Sequence, residues 1–288
     1  MNILSLFDGM SCGQIAFNRA GIKYNKYFAS EIDKYAVKVA MTNYPGTIQL
    51  GDINNWEGWE IENPDIIIAG SPCQGFSFVG KQLNFKDERS KLFFTFVDIL
   101  KHYKPKYFLL ENVNMKKEYQ DVISEALGEV YPECVNYPEF FRIGRLEPIL
   151  IDSALVSAQK RMRLYWSNIP HITQPKDKNL LLCDILEKNV SDKYFTKANL
   201  TKRLKFDFVL HEFPFNTKAR CIVATDYKIT HNLLKLYNGN RRLTPMEHER
   251  LQTIPDNYTN YVSDAQRYKM VGNGWTVDVL AHIFKNIR

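Results

Sequence analysis

An α/β fold built on a mainly parallel sheet is what this sequence predicts, and three observations predict it. Short apolar or β-branched runs alternate with amphipathic stretches through the first half of the chain, the pattern of strand–helix crossover units. The run Ile66-Ile67-Ile68-Ala69 is apolar at every position, as an interior strand covered on both faces requires. Glycine and proline follow directly upon such runs, at Gly9 and Gly13 and again at Gly70, Pro72 and Gly75. That places loops at the carboxyl ends of strands, where open α/β sheets bind their ligands.

The elements follow in order. Residues 2–7 read as the first strand and 13–20 as the start of a helix, with 27–30 the second strand and 34–43 its helix. A third strand covers 65–69 and a helix 90–102; a fourth strand covers 106–110 and a helix 118–127. Two runs close together, 148–156 and 161–167, predict an antiparallel pair at one edge of the sheet. From about 168 to 240 the alternation is lost, prolines stand at Pro170, Pro175 and Pro214, and a small inserted domain is expected. Order returns at Thr244-Pro245-Met246-Glu247, which reads as an N-cap, a proline at the first helical position and a capping-box glutamate. Residues 276–287 read as a closing helix.

Composition bounds the function. A chain of 288 residues, 45% hydrophobic and 24% charged, forms one large core with room for a small appended unit. The first residues lack the basic leader and long apolar run of a signal peptide, and no segment has the length of a membrane span. Five scattered cysteines form no C-x-x-C pair, so a metal site and a disulfide framework are both unexpected, and a reducing cytoplasm is the expected compartment. The net charge of +6 is mild, but residues 167–240 carry 12 Lys/Arg against 7 Asp/Glu. A polyanion contact and a solvated surface both fit that excess.

The residues with chemistry gather at strand ends. Cys73, in Ser71-Pro72-Cys73-Gln74-Gly75-Phe76-Ser77, follows the Ile66–Ala69 run. It is a candidate nucleophile, although a single cysteine in a loop is more often an inert small apolar residue. Leu6-Phe7-Asp8-Gly9-Met10-Ser11-Cys12-Gly13 carries a strand through two glycines into a helix, offering backbone N–H groups to a ligand. It lacks the G-x-G-x-x-G spacing of a pyrophosphate loop. Glu31 after the second strand suits ribose hydroxyls and Asp52 an adenine amino group. Three acids at successive strand ends point to a nucleoside ligand without phosphate binding. Glu111, ending the run Tyr107-Phe108-Leu109-Leu110, stands as a carboxyl partner for the thiol, or as one side of a salt bridge to a lysine. Strand alternation sets Gln159, Arg161 and Arg163 on one face, a row costly to bury without acceptors and otherwise an exposed edge.

Together these segments resemble the ordered motifs of the C5-cytosine DNA methyltransferases. The first loop is similar to that family's S-adenosylmethionine loop, the Pro72-Cys73 segment to its nucleophile loop and Glu111-Asn112-Val113 to its E-N-V motif. Gln159-x-Arg161-x-Arg163 is similar to Q-x-R-x-R. Arg242-Leu243-Thr244-Pro245-x-Glu247 with Gln252 resembles the helix supporting the recognition domain, and Gly272-Asn273-Gly274-Trp275-Thr276-Val277 the final cofactor motif. Departures are Ser11-Cys12-Gly13, where many bacterial members crowd glycines, and Gly274-Trp275, where many have Ser-Val.

The resemblance implies an S-adenosylmethionine-dependent, Rossmann-like fold. Residues 1–167 and 241–288 form its catalytic domain and 168–240 a target-recognition domain. It implies a DNA (cytosine-5-)-methyltransferase, with Cys73 attacking C6 of a flipped cytosine and Glu111 contacting N3 and the exocyclic amine. Arg163 would hold O2 and Arg161 support the same loop, completing the implied catalytic set. Cofactor contacts are expected from Phe7, Asp8, Gly9, Met10, Cys12, Glu31, Ile32, Asp52, Ile53, Pro72, Leu92, Asn273 and Trp275, whose ring would stack on the adenine. Contacts with double-stranded DNA are expected from Gln74, Ser77, Lys81, Gln159, Lys202, Arg203, Lys205, Lys218, Arg220 and Arg242. The segment 80–86 is expected to close over the DNA. No metal is expected, the chain is expected to be a monomer in a bacterial or phage-infected cytoplasm, and a cognate restriction enzyme is a candidate partner. Orphan regulation and phage self-protection stay open. The competing functions are an RNA cytosine methyltransferase, a non-catalytic DNA-binding relative and a nucleotide-dependent oxidoreductase.

Overall fold

The computed structural model describes residues 1–71, 88–135, 144–196, 209–228, 231–237 and 239–288. Expectations for Pro72, Cys73, Gln74, Ser77, Lys81, the segment 80–86, Lys202, Arg203 and Lys205 lie outside the described residues.

Seven strands form the main sheet: β1 (Asn2–Leu6), β2 (Lys26–Ser30), β3 (Ile48–Gln49), β4 (Ile66–Gly70), β5 (Tyr107–Val113), β6 (Ile149–Asp152) and β7 (Met162–Ser167). Their order is β3-β2-β1-β4-β5-β7-β6. The first five are parallel, and β7 runs antiparallel to both β5 and β6. The expected antiparallel edge pair is present, with its second strand tucked inside against β5. The sixth strand is shorter than the predicted 148–156, because Asp152 Oδ1 accepts from Ala154 N–H at 2.9 Å and starts a 3₁₀ turn, Ser153–Leu155.

Both faces of the parallel sheet are covered, as the unbroken apolar runs require. Ile3, Ile66, Ile68 and Leu109 pack beneath α1 (Cys12–Ala20), whose Phe17 stacks on Phe284 with ring centroids 4.1 Å apart. The same layer contains α2 (Lys34–Asn43), capped by Asp33. Leu4, Leu6, Ile67, Phe108 and Leu110 face the other way, against α3 (Glu88–Tyr103) and α4 (Lys117–Val130). Each fully buried Ile, Leu or Phe on these faces contributes about 1.5–3 kcal/mol.

The segment 168–240, which the sequence leaves without pattern, contains α5 (Leu182–Ile185) and three strands of a small second sheet: β8 (Phe195–Thr196), β9 (Val209–Glu212) and β10 (Asn232–Leu236). The fourth, β11 (Gly239–Arg242), runs past the segment's end, and the order is β8-β11-β10-β9. Strands of two to five residues leave too few alternations to be read. Ile169, Leu182, Ile185 and Ile222 join the same apolar layer as α1, so the segment shares a core with the main sheet.

The chain then enters α6 (Pro245–Leu251) through the predicted capping box: Glu247 N–H donates to Thr244 Oγ1 at 3.1 Å, and Thr244 N–H to Glu247 Oε2 at 2.8 Å. Two buried glutamates on this helix take arginine partners, Glu247 from Arg241 and Glu249 from Arg267. A helix absent from the sequence reading, α7 (Asp264–Asn273), follows; it is mostly polar and is fastened by that Arg267 pair. Finally α8 (Val277–Phe284) begins one residue after the expected start, with Thr276 as its N-cap. Among the described residues no helix is long and apolar enough to cross a membrane, and no three metal-ligating side chains gather.

Candidate active site

The loop after β1 is strained and tightly held. Phe7, Gly9 and Ser11 all have left-handed backbones, with φ of 57°, 60° and 64°, a conformation that costs about 1–3 kcal/mol at each non-glycine position. Asp8 N–H bonds to Ser30 O at 3.1 Å and Gly9 N–H to Glu31 Oε2 at 2.8 Å, which ties the loop to the end of β2. The Asp8 side chain points inward, accepting from Tyr27 Oη at 2.7 Å and from Ser11 Oγ. Burial pushes its carboxyl up to about 6, the hydroxyl donors only partly opposing the rise. Met10 and Cys12 are buried too, and burial pushes the Cys12 thiol up to about 12. The side chains of Asp8, Met10 and Cys12 thus build the floor of the loop, while Phe7 and Gly9 are half-buried, Phe7 packing against the second apolar layer.

Glu31 takes two further backbone N–H groups, from Ile32 at 2.8 Å and Asp33 at 2.7 Å. Beside it Ile32 stands 76% exposed, an apolar side chain with nothing covering it at the carboxyl end of β2. Asp52 caps a 3₁₀ turn through Asn54 N–H at 2.9 Å, and Ile53 is buried beneath it. Leu92 is half-buried on α3 and Asn273 is exposed at the end of α7.

Glu111 sits on β5 opposite Gly70 of β4 and is buried. Arg163 Nε meets its Oε1 at 3.0 Å and Trp275 Nε1 donates to its Oε2 at 3.1 Å. Its ion-pair partner is thus an arginine rather than a lysine. Burial opposes the Arg163 charge most strongly, but Glu111, Cys221 and Tyr165 together outweigh it and hold the guanidinium above its ordinary value. Asn112, the middle residue of the E-N-V motif and given no role from the sequence, is also buried; its Nδ2 donates to Ser71 Oγ at 3.1 Å and fastens β5 to the exit of β4. Gly70 is required here, since a Cβ would lie 2.7 Å from Trp275 Nε1.

Arg161 and Gln159 are buried, and their acceptors are main-chain carbonyls. Arg161 donates to Ile222 O at 3.0 Å and Gly274 O at 2.9 Å, with Cys221 Sγ 3.2 Å away. Burial, together with Arg163 nearby, lowers its pKa from the ordinary arginine value. At 4% exposure its guanidinium ties the chain before β7 to Ile222 and Gly274. Gln159 Nε2 donates to Leu251 O at 2.6 Å and its Oε1 accepts from Ile222 N–H at 3.3 Å, which removes it from the DNA contacts. Lys218 is likewise taken out of them by Ala154 O at 2.6 Å and Ser157 O at 3.1 Å. Arg220 and Arg242 are half-buried, the latter reaching Tyr227 O at 3.4 Å. A cavity of about 620 Å³ lies elsewhere, between Leu186, Phe195, Phe215 and Arg241.

Residues 1–130 and 153–288 match the family model described as C-5 cytosine-specific DNA methylase. The chain is 32% identical to Type II methyltransferase M.NgoBI of Neisseria gonorrhoeae, over 96% of this chain and 90% of that protein. It is 32% identical to Type II methyltransferase M.HpaII of Haemophilus parainfluenzae, over 99% and 88%. An orphan methyltransferase, M.SPRI of Bacillus phage SPR, is 33% identical over 71% of this chain and 49% of that protein. In fold the chain is similar to the S. pombe Dnmt2 methyltransferase, with a TM-score of 0.78 at 18% identity, covering 99% of this chain and 97% of that one. The Entamoeba histolytica methyltransferase EhMeth also gives 0.78, at 19% identity over 100% and 99%. The sheet order, the motifs and these similarities agree: the chain belongs to the C-5 cytosine-specific DNA methylase family and is a DNA (cytosine-5-)-methyltransferase.

Proposed function

We propose that the chain methylates C5 of a cytosine swung out of double-stranded DNA, through a covalent adduct on Cys73, with S-adenosylmethionine as donor. One observation carries this reading: the Glu111 carboxyl is held at both oxygens, at the carboxyl edge of β5, across from the strand that runs into the Pro72-Cys73 motif. Cys73 sulfur adds to C6. The Glu111 side supplies a proton at N3 and accepts from the exocyclic amine, and Arg163 holds O2. C5 thereby gains enamine character; once it carries the methyl group its proton passes to solvent water, the C5–H electron pair expels Cys73 as thiolate, and N3 returns its proton to Glu111. Because C6 is shielded in stacked DNA, the base must leave the helix.

The residues present fit the donor. Exposed Ile32 offers an apolar face for an adenine, Glu31 keeps carboxylate capacity for a ribose, and the loop at Phe7 and Gly9 presents backbone. Asp52, Leu92, Asn273 and Pro72 complete the set that would hold it. When bound, S-adenosylmethionine supplies the electrophilic methyl group that C5 takes.

Residues 168–240 serve as the target-recognition domain, with Arg220, Lys202, Arg203 and Lys205 contacting DNA, joined by Arg242 from the catalytic domain and by Gln74, Ser77 and Lys81. The Type II relatives favour a restriction–modification role with a partner restriction enzyme; the phage relative keeps self-protection in view. The chain acts as a monomer in the cytoplasm.

The decisive experiment offers 5-fluorocytosine duplexes and the methyl donor to the wild type and to Cys73→Ser. The wild type gives a DNA–protein species that survives denaturing electrophoresis and Cys73→Ser gives none. Failure of the wild type to trap any duplex, fragmented genomic DNA included, overturns the mechanism, and trapping of structured RNA in place of duplex moves the substrate.

A further inference from the structure

We infer that Trp275 is a positioning residue for Glu111, acting through its indole N–H. The inference rests on the role proposed above for Glu111 and adds the group that sets its carboxyl plane. A carboxylate held only by Arg163 can rotate about its terminal torsion, a broad and soft degree of freedom. A second donor on the other oxygen fixes the plane, because the two bonds approach from different residues. Here those donors are Arg163 Nε at 3.0 Å from Oε1 and Trp275 Nε1 at 3.1 Å from Oε2.

The rest of the fold is shaped around that indole. Gly70 has no side chain to block it, since a Cβ would come within 2.7 Å of Nε1 and 3.0 Å of Cε2 and Cζ2. On its far side the ring edge stands 3.8 Å from where a Cβ on Gly13 would be. Trp275 is 7% exposed, and its own backbone N–H reaches Cys12. The ring is therefore wedged between the first loop and the ends of β4 and β5, with its one polar atom on the catalytic carboxyl. Buried tryptophan N–H groups find acceptors as a rule; this one has taken the acid of the site. Stacking on adenine, the role expected from the sequence, asks for an exposed ring face.

Two measurements test this. The first needs no turnover: the indole N–H resonance of Trp275, assigned by its loss in Trp275→Phe, is compared in wild type and Glu111→Ala. A bonded N–H moves upfield when its acceptor is removed, and an unmoved resonance overturns the inference. The second is steady-state kinetics of Trp275→Phe, which keeps an aromatic ring and loses the donor. Expected is a fall in kcat of about tenfold, typical of a bond to a charged group, with the KM for S-adenosylmethionine unchanged. In a Glu111→Ala background, which has no acceptor for the indole N–H, the same substitution has no further effect on the residual kcat. A raised KM with kcat intact assigns the ring to the cofactor and overturns the inference. The reading of Glu111 itself fails separately, if Glu111→Gln leaves kcat at the wild-type level.

Discussion

Asp8 and Arg161 are both buried charged side chains with no ion-pair partner among the described residues, and the surroundings of each differ in kind. Around Asp8 the partners are hydroxyls, from Ser11 and Tyr27, in a loop that also bends through three left-handed residues. Around Arg161 they are carbonyls, from Ile222, Gly272 and Gly274, drawn from the far end of the chain. A carboxyl can shed its charge by taking a proton, and burial brings that proton within reach at about pH 6. A guanidinium cannot do so at any working pH, so it must be met by acceptors. The first-loop region is therefore tuned by pH and the second is fixed.

The sharpest way to break this contrast is at Arg161. Arg161→Met removes the cation and strands buried carbonyls; about 3–5 kcal/mol of stability is expected to be lost, seen as a fall in the urea midpoint. An unchanged midpoint removes the carbonyl knot from the account. Next is Asp8→Asn. The folded pKa of Asp8 lies above its unfolded value of 3.8, so the folded state keeps a proton that the unfolded state has lost. The resulting penalty is absent below about pH 4, grows as pH rises and is complete, at about 3 kcal/mol, above pH 6. Asp8→Asn should gain stability over wild type at pH 8 and lose that advantage by pH 4; a difference flat across this range contradicts the assignment. Gln159→Leu is expected to cost about 1–3 kcal/mol through unpaired Leu251 O and Ile222 N–H, with duplex affinity in the folded fraction unchanged. Smallest is Lys218→Met: it should leave the slope of log affinity against log salt within about half of one phosphate contact of wild type, whereas a change near one restores Lys218 to the DNA contacts.

Much of the catalytic layer was legible because its signals are local. The amphipathic run 34–43 gives α2 its observed ends, and the Thr244–Glu247 box marks α6. The continuous Ile66–Ala69 run identifies β4 as buried on two faces. What could not be read depends on distant partners. Gln159 and Arg161 look like an exposed polar row until chain 61 to 113 residues away supplies carbonyls. The polar helix α7 has no apolar stripe of its own to announce it and depends on Glu249, 18 residues earlier, through Arg267. Lys218 reads as surface charge, because sequence shows a side chain's charge and not the carbonyls of Ala154 and Ser157 that it meets.

Gly272 approaches Val223 and Ala224 so closely that a Cβ would stand 2.3 Å from Val223 C, and Ala219 N–H and O bond to Ala158 O at 2.7 Å and Lys160 N–H at 2.9 Å. Exchanging residues 168–240 wholesale for those of a relative would sever this seam. A chimera that keeps the host's 217–224 and exchanges only the chain on either side retains this contact, and is the design expected to give soluble hybrids.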